Sequence, residues 1–323
     1  MKILIFGTNR IKVHNWGHEL WKQEIARQHD VRFYGYGYGE GHIKPFELNE
    51  VIDELEFEPD LIYTHWARDV GLGPKGLAET DIPKVHYTTE YFHWNYRKED
   101  HFIKKYEIDL VLVPNSPMVE RMSSLRGFNA RLLPFSVDTN IFKPRDVERN
   151  LSVSAVMHAK GWYCGRIEIL ENVEAIEDSY IFGAWRNSKK LFHDVYIGVY
   201  TRSKMAVNGC RIHESSVGTR YSAGTQSDFP YLTFTNWKNV EIPACGAILL
   251  TQETEDLEIM GFRHLENCVM FDNPNEIPSI VNGLLEDNER REKIAKAGLE
   301  HVRQHHSNEV RVQEFTKIVK ELI

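Results

Sequence analysis

The run Asn236-Trp237-Lys238-Asn239-Val240-Glu241-Ile242-Pro243-Ala244-Cys245-Gly246-Ala247-Ile248-Leu249-Leu250-Thr251 sets one carboxylate in a largely apolar stretch. Its pattern predicts a short helix running into a buried strand, with small Ala244 and Gly246 at the junction, where a bound group can approach the backbone. Unpaired N–H groups at the amino terminus of such a helix bind a phosphate or a sugar hydroxyl. Glu241 lies on that helix, and a carboxylate there accepts two hydrogen bonds from a ribose, as the acidic residue of dinucleotide folds does. The same run also fits an ordinary buried helix and strand with Glu241 a solvated turn residue. A second group of chemically able residues falls in two segments, Thr64-His65-Trp66-Ala67-Arg68-Asp69 and Tyr87-Thr88-Thr89-Glu90-Tyr91-Phe92-His93-Trp94.

The elements that must position these residues alternate. Ile3–Phe6, Val31–Tyr34, Leu61–Thr64, Lys84–Tyr87 and Leu110–Val113 are short β-rich runs separated by polar or helical stretches, the first of them a helix from about Gly17 to Gln28. That is the pattern of βαβ units and a mainly parallel sheet. Both loops just named follow such strands, and ligands of open α/β sheets bind at the carboxyl ends of the strands. A polar shift at Arg145–Asn150 places a boundary near residue 145. Beyond it Ser152–His158, Tyr180–Phe182, Lys204–Val207, Ala247–Thr251 and Cys268–Phe271 restart the alternation, and helices over about 277–287, 288–304 and 307–322 close the chain. The alternating run Tyr34-Gly35-Tyr36-Gly37-Tyr38-Gly39 completes no dinucleotide fingerprint. It reads either as a loop flanking a cleft or as a strand continuing into a hairpin.

Composition narrows the classes. The 323 residues are 42% hydrophobic and 27% charged, a globular balance that accommodates two domains. No run reaches the roughly 18 apolar residues of a membrane helix, and the apolar start at Ile3–Phe6 is too short for a secretory signal. Cys164, Cys210, Cys245 and Cys268 are scattered, as in a reduced cytoplasmic protein, and form neither a zinc nor a disulfide pattern. Residues 1–145 carry a net charge of −2 and residues 146–323 a net of −6, so a diffuse basic field for nucleic acid is absent.

The stretch Val240–Ala247, with Leu249-Leu250-Thr251 and Phe271-Asp272 after it, resembles the carboxyl-terminal signature of glycosyltransferases of the GT-B fold, closest to the spore-maturation (CgeB-like) branch. Ser203-Lys204-Met205-Ala206-Val207-Asn208 and the tail from Arg290 to Arg311 support it. The resemblance implies two facing Rossmann-like domains with parallel sheets and a helical carboxyl terminus. The expected division is 1–145 for the acceptor, 146–305 for the nucleotide-sugar donor, and a last helix over 306–323 that packs back on the first domain.

It further implies a hexosyl- or pentosyltransferase moving a sugar from a nucleoside diphosphate donor, with UDP expected, to an acceptor hydroxyl. Glu241 would grip the ribose, Gly246 would leave room beside the nucleotide, and Lys204, Arg166 and Lys238 would attend the donor. Lys160, Arg186, Lys189 and Lys190 are further cations that could meet the charge building on the leaving diphosphate. The chain contains no Asp-x-Asp, which accords with a transferase that needs neither metal nor other cofactor. Related retaining transferases carry a Glu-x7-Glu pair, and the position eight before Glu241 is Thr233. An inverting reaction needs a base for the acceptor proton; Glu90 and His65 are the first candidates, with His86 and His93 behind them. Trp66, Tyr91, Phe92 and Trp94 suit stacking on a sugar or planar acceptor, and His18, beside Trp16-Gly17, joins the acceptor set. Competing readings are a transferase acting on hydroxymethylated bases of DNA, a nucleotide-sugar epimerase, and a non-catalytic nucleotide-binding module.

Overall fold

The computed structural model describes residues 1–9, 16–38, 47–65, 73–89, 96–159, 166–183, 193–209, 211–212 and 232–323. They form two compact units, one of Met1–Pro134 with Asn308–Ile323, the other of Phe135–Ser307.

The first unit is built on β1 (Lys2–Phe6), β2 (Asp30–Tyr34), β3 (Leu61–His65), β4 (Lys84–Tyr87), β5 (Leu110–Val113) and β6 (Ala130–Leu132), in the order β2-β1-β3-β4-β5-β6 and parallel throughout. Runs such as Leu110-Val111-Leu112-Val113 are apolar at every position because both faces of a parallel sheet are covered. Side chains alternate across the sheet. Ile3, Ile5, Leu61 and Tyr63 face Trp21 and Ile25 of α1 (Trp16–Gln28) and Val312, Phe315 and Val319 of the last helix, Asn308–Val319. Leu4, Phe6 and Ile62 face Leu48 and Val51 of α2 (Leu48–Glu54) and Phe102 of α3 (Tyr96–Lys105).

The second unit holds β7 (Leu151–Val156), β8 (Ser179–Phe182), β9 (Ser203–Asn208), β12 (Ile248–Gln252) and β13 (Val269–Phe271), parallel and ordered β13-β12-β9-β7-β8, while β10 (Arg211–Ile212) and β11 (Leu232–Thr233) pair as a separate antiparallel ribbon. Val153, Met205, Ile248 and Val269 pack against Ile169, Leu170 and Val173 of the helix Ile167–Glu174 and against Ile277 and Val281 of the helix Ile277–Glu286.

Counted from its own first strand, each sheet runs second, first, third, fourth, fifth, and the first sheet adds a sixth. The likeness extends to single atoms. Gly35, just after β2, has φ +135°, and a β-carbon on it would lie 2.1 Å from the carbonyl oxygen of Gly7, just after β1. Gly183, just after β8, has φ +139°, and its β-carbon would lie 2.0 Å from the carbonyl oxygen of Met157, just after β7. Only glycine fits either place. Gly35 belongs to the alternating Tyr-Gly run, which continues alongside β1 through a hydrogen bond from the Asn9 N–H to the Tyr36 carbonyl at 2.8 Å.

The division between units falls before the expected 145. Phe135 packs on Trp237 with ring centroids 4.7 Å apart, Phe142 packs on Tyr196, and Arg149 donates to the carbonyls of Tyr200, Ser203 and Cys245. The stretch whose polarity suggested a linker is thus part of the second unit's packing.

Candidate active site

In the second unit the carboxyl ends of β9 and β12 meet the start of the helix Lys238–Ala244, here α7, which follows α4 (Ser116–Glu120), α5 (Ile167–Glu174) and α6 (His193–Arg202). Four polar side chains lock the junction. Asn208, the last residue of β9, donates from Nδ2 to Asn239 Oδ1 at 3.0 Å and accepts at Oδ1 from Asn236 Nδ2 at 3.3 Å; Asn239 Nδ2 donates to Thr251 Oγ1 at 3.2 Å. Asn208, Asn239 and Thr251 are fully buried, so these bonds replace water that is not there. The sequence gives each asparagine separately, and nothing in their spacing announces the network.

The helix start is not the open anion site expected of it. Its Lys238 N–H donates to Asn236 Oδ1 at 3.0 Å, and the Asn239 and Val240 N–H groups donate to the carbonyls of Asn236 and Trp237. Asn236 acts as a cap one residue early and satisfies locally what a phosphate would otherwise satisfy.

Glu241 lies one turn on, on the same side as Lys238. Only 6% of its surface is exposed, and its Oε1 accepts from the Tyr196 hydroxyl at 3.3 Å. Its Oε2 accepts no hydrogen bond from any described residue, although a carboxylate has room for about four. Burial pushes the carboxyl up to about 7, against the opposing pull of Lys238 and of the Tyr196 hydroxyl. Tyr200 stands edge-on to Tyr196 at 5.6 Å, with its hydroxyl buried and without a hydrogen-bond partner among the described residues. Arg166, also buried, lies across Gly209, with its Cγ 3.1 Å from where a β-carbon on that glycine would stand. Gly209 directly follows Asn208, so Arg166 shares the carboxyl edge of the sheet with the asparagine network.

Two of the expected donor residues lie elsewhere. Lys204 is the second residue of β9, about 13 Å of strand from Asn208, which puts it toward the amino-terminal edge, away from where α/β sheets bind ligands. Gly246 has φ +78°, and the space before it is filled: its β-carbon would lie 2.6 Å from Arg149 Nη2. It ends α7 as a left-handed glycine, and the room it leaves is taken by an arginine.

In the first unit the carboxyl end of β3 meets α1. His18 lies in the first turn of α1, buried. Its Nδ1 is hydrogen-bonded to His65 Nε2; His65 Nδ1 is 2.9 Å from the Tyr63 hydroxyl, which accepts from Trp21 Nε1 at 2.8 Å. Both ring nitrogens of His65 are engaged and 2% of it is exposed, which removes it as a base acting directly on an acceptor. His86 is held in the same manner, by Glu99 at 2.6 Å and the Thr64 hydroxyl at 2.8 Å. Next along α1, Lys22 and Glu19 form a buried ion pair at 2.8 Å; Lys22 also donates to the Thr8 carbonyl and to the Tyr38 hydroxyl, and Tyr38 donates to Glu19 at 2.6 Å. The signal for this cluster was in the sequence as His18-Glu19-x-Trp21-Lys22, polar residues on a helix that must also cover a sheet.

Trp66, Glu90, Tyr91, Phe92, His93, Trp94, Lys160, Arg186, Lys189 and Lys190 lie outside the described residues. Among the described residues no three His, Cys, Asp or Glu side chains group as metal ligands, and no helix is long and apolar enough to cross a membrane.

Residues 166–317 match the family model described as glycosyl transferase-like. No protein of curated function matches the chain by sequence. Among solved structures it is similar to Anabaena HepE in complex with UDP-glucose, with 14% identity, TM-score 0.67, and 99% of this chain and 100% of that one covered. It is also similar to sucrose-phosphate synthase from Thermosynechococcus elongatus, with 12% identity, TM-score 0.65, and 100% and 99% covered. A glycosyltransferase from Rickettsia africae gives 12% identity, TM-score 0.61, and 99% and 98% covered. Two parallel sheets of this order are the architecture of the GT-B transferases, and residues 166–317 of this chain carry a glycosyl transferase-like domain.

Proposed function

We propose that the chain transfers a hexose or pentose from a nucleoside diphosphate sugar, with UDP as the nucleotide, to an acceptor hydroxyl, and does so without a metal. One observation carries the donor assignment: Glu241 is a buried carboxylate whose Oε2 accepts nothing from the described residues. The 2′ and 3′ hydroxyls of a ribose are donors of the right kind and spacing for that oxygen. In this reading Lys238, on the same face of α7, and Arg166, across Gly209, stabilise the charge that develops on the diphosphate as the glycosidic bond breaks, the task a metal performs in other transferases. HepE, whose solved complex contains UDP-glucose, supports the choice of nucleotide. Val240–Ala247 supports placing the chain near the CgeB-like branch.

On the acceptor side Glu90 takes the hydroxyl proton, Trp66, Tyr91 and Trp94 flank the acceptor, and His18 contributes from α1. The buried thiols of Cys245 and Cys268 fit a cytoplasmic setting. The deciding experiment is calorimetric titration with UDP, ADP and GDP, with transfer from the matching nucleotide-sugars assayed in EDTA. Tight UDP binding that Glu241→Gln weakens supports the reading. UDP binding indifferent to that substitution overturns the role of Glu241, and transfer abolished by EDTA overturns metal independence.

A further inference from the structure

Tyr196 and Tyr200 lie four residues apart on α6 and so on one face of it, with ring centroids 5.6 Å apart, and Phe142 packs on Tyr196 at 6.1 Å. The two phenols differ in one respect. Tyr196 donates to Glu241 Oε1 at 3.3 Å, whereas the buried Tyr200 hydroxyl has no hydrogen-bond partner among the described residues. Burial, with the charge of Glu241 added to it, raises the Tyr196 phenol well above its ordinary range, so the hydroxyl keeps its hydrogen and offers it to the carboxylate. The spacing of α6 from α7 does not depend on this bond. Arg149 ties the Tyr200 carbonyl, in the last turn of α6, to the Cys245 carbonyl at the end of α7.

We propose that Tyr196 is a positioning residue of the donor site: by holding Glu241 at Oε1 it fixes the carboxyl group and presents Oε2 to the hydroxyls of the nucleotide ribose. The role in nucleotide binding rests on the function proposed above; the hydrogen bond does not. A carboxyl group on a flexible stem must otherwise be ordered by the ligand, and ordering it beforehand removes that cost from binding. The same bond favours the ionised form that accepts from hydroxyls. Burial pushes the Glu241 carboxyl up to about 7, and Lys238, one turn earlier on α7, and the Tyr196 hydroxyl both pull it down. The other titratable groups described beside it are Tyr200 on α6 and Cys245 on α7, both raised by burial and so uncharged near neutral pH.

The test uses the full chain labelled with 13C at glutamate Cδ and tyrosine Cζ, followed from pH 5 to pH 9, with Glu241→Gln, Tyr196→Phe and Tyr200→Phe to assign the signals. The Glu241 midpoint is expected to rise by about half a pH unit or more in Tyr196→Phe and to stay in place in Tyr200→Phe. Calorimetry at pH 8 should find UDP binding weakened about threefold to tenfold in Tyr196→Phe. A folded Tyr196→Phe protein with an unmoved Glu241 midpoint, or with full UDP affinity where Glu241→Gln has lost it, overturns the proposal. If Tyr196→Phe does not fold, the other spectra decide: one tyrosine signal, still present in Tyr200→Phe, must move with the Glu241 midpoint and stop moving in Glu241→Gln, and the lack of such a signal overturns the proposal. Absence of UDP binding, or binding that Glu241→Gln leaves unchanged, overturns the donor reading and with it the use made of the bond, while the spectra still show whether Tyr196 holds Glu241.

Discussion

The Nη2 of Arg149 lies 2.6 Å from where Gly246 would carry a β-carbon, and donates to the carbonyl of Cys245 at 2.9 Å. One guanidinium thereby caps α7 at Cys245 and reaches the Tyr200 carbonyl in the last turn of α6 and the Ser203 carbonyl just after it. Gly246→Ala must strain a left-handed φ and displace the arginine, and should cost about 1–3 kcal/mol in urea denaturation. Donor affinity should be unchanged. A stable Gly246→Ala protein that has lost UDP binding would restore Gly246 to the nucleotide site.

Glu241→Ala should weaken donor binding by about tenfold or more, since a hydrogen bond to a charged group contributes roughly 1.5–3 kcal/mol. Calorimetry with UDP reads this directly. Equal affinities in variant and wild type would remove the ribose role.

The same carboxyl makes stability depend on pH. Its value, pushed up to about 7 when folded, lies above the ordinary 4.5, so the folded chain holds an extra proton between those limits. Stability from this group is fully present below about pH 4.5 and is lost as pH rises toward 7, by on the order of 3 kcal/mol. Glu241→Gln cannot titrate. Relative to wild type it should gain stability between pH 5 and pH 8, and parallel pH profiles for the two proteins would contradict the burial of a lone acid here.

Gly35→Ala and Gly183→Ala should fail alike. Each would drive a methyl to within 2.1 or 2.0 Å of a backbone oxygen at a positive φ, and backbone cannot yield as a side-chain tip does. A cost of about 2–5 kcal/mol follows for each. Thermal melting of the two variants is the check; a neutral substitution at either site would mean that the edge strand moves freely.

The architecture was legible because parallel strands buried on both faces are continuous apolar runs, and Ile3–Phe6 and Leu110–Val113 announce themselves in that way. β6 was missed because Ala130-Arg131-Leu132 is a short edge strand with no such run. Glu241 stood out as an acid in an apolar stretch. Lys204 misled because sequence neighbourhood does not say at which end of a strand a residue emerges. His65 misled because its residue type says nothing of the Tyr63 and His18 partners that occupy its ring. The Asn208, Asn236, Asn239 and Thr251 network is held together by long-range pairing of β9 with β12, which no local pattern encodes.

The first unit takes Val312, Phe315 and Val319 from the far end of the chain into the same core as Ile3 and Ile5. On the ribosome the opening 134 residues therefore emerge with part of their interior still unsynthesised, while the uninterrupted stretch from Phe135 to Ser307 can finish first. A nascent chain stalled before the helix Asn308–Val319 would present an uncovered apolar sheet to chaperones.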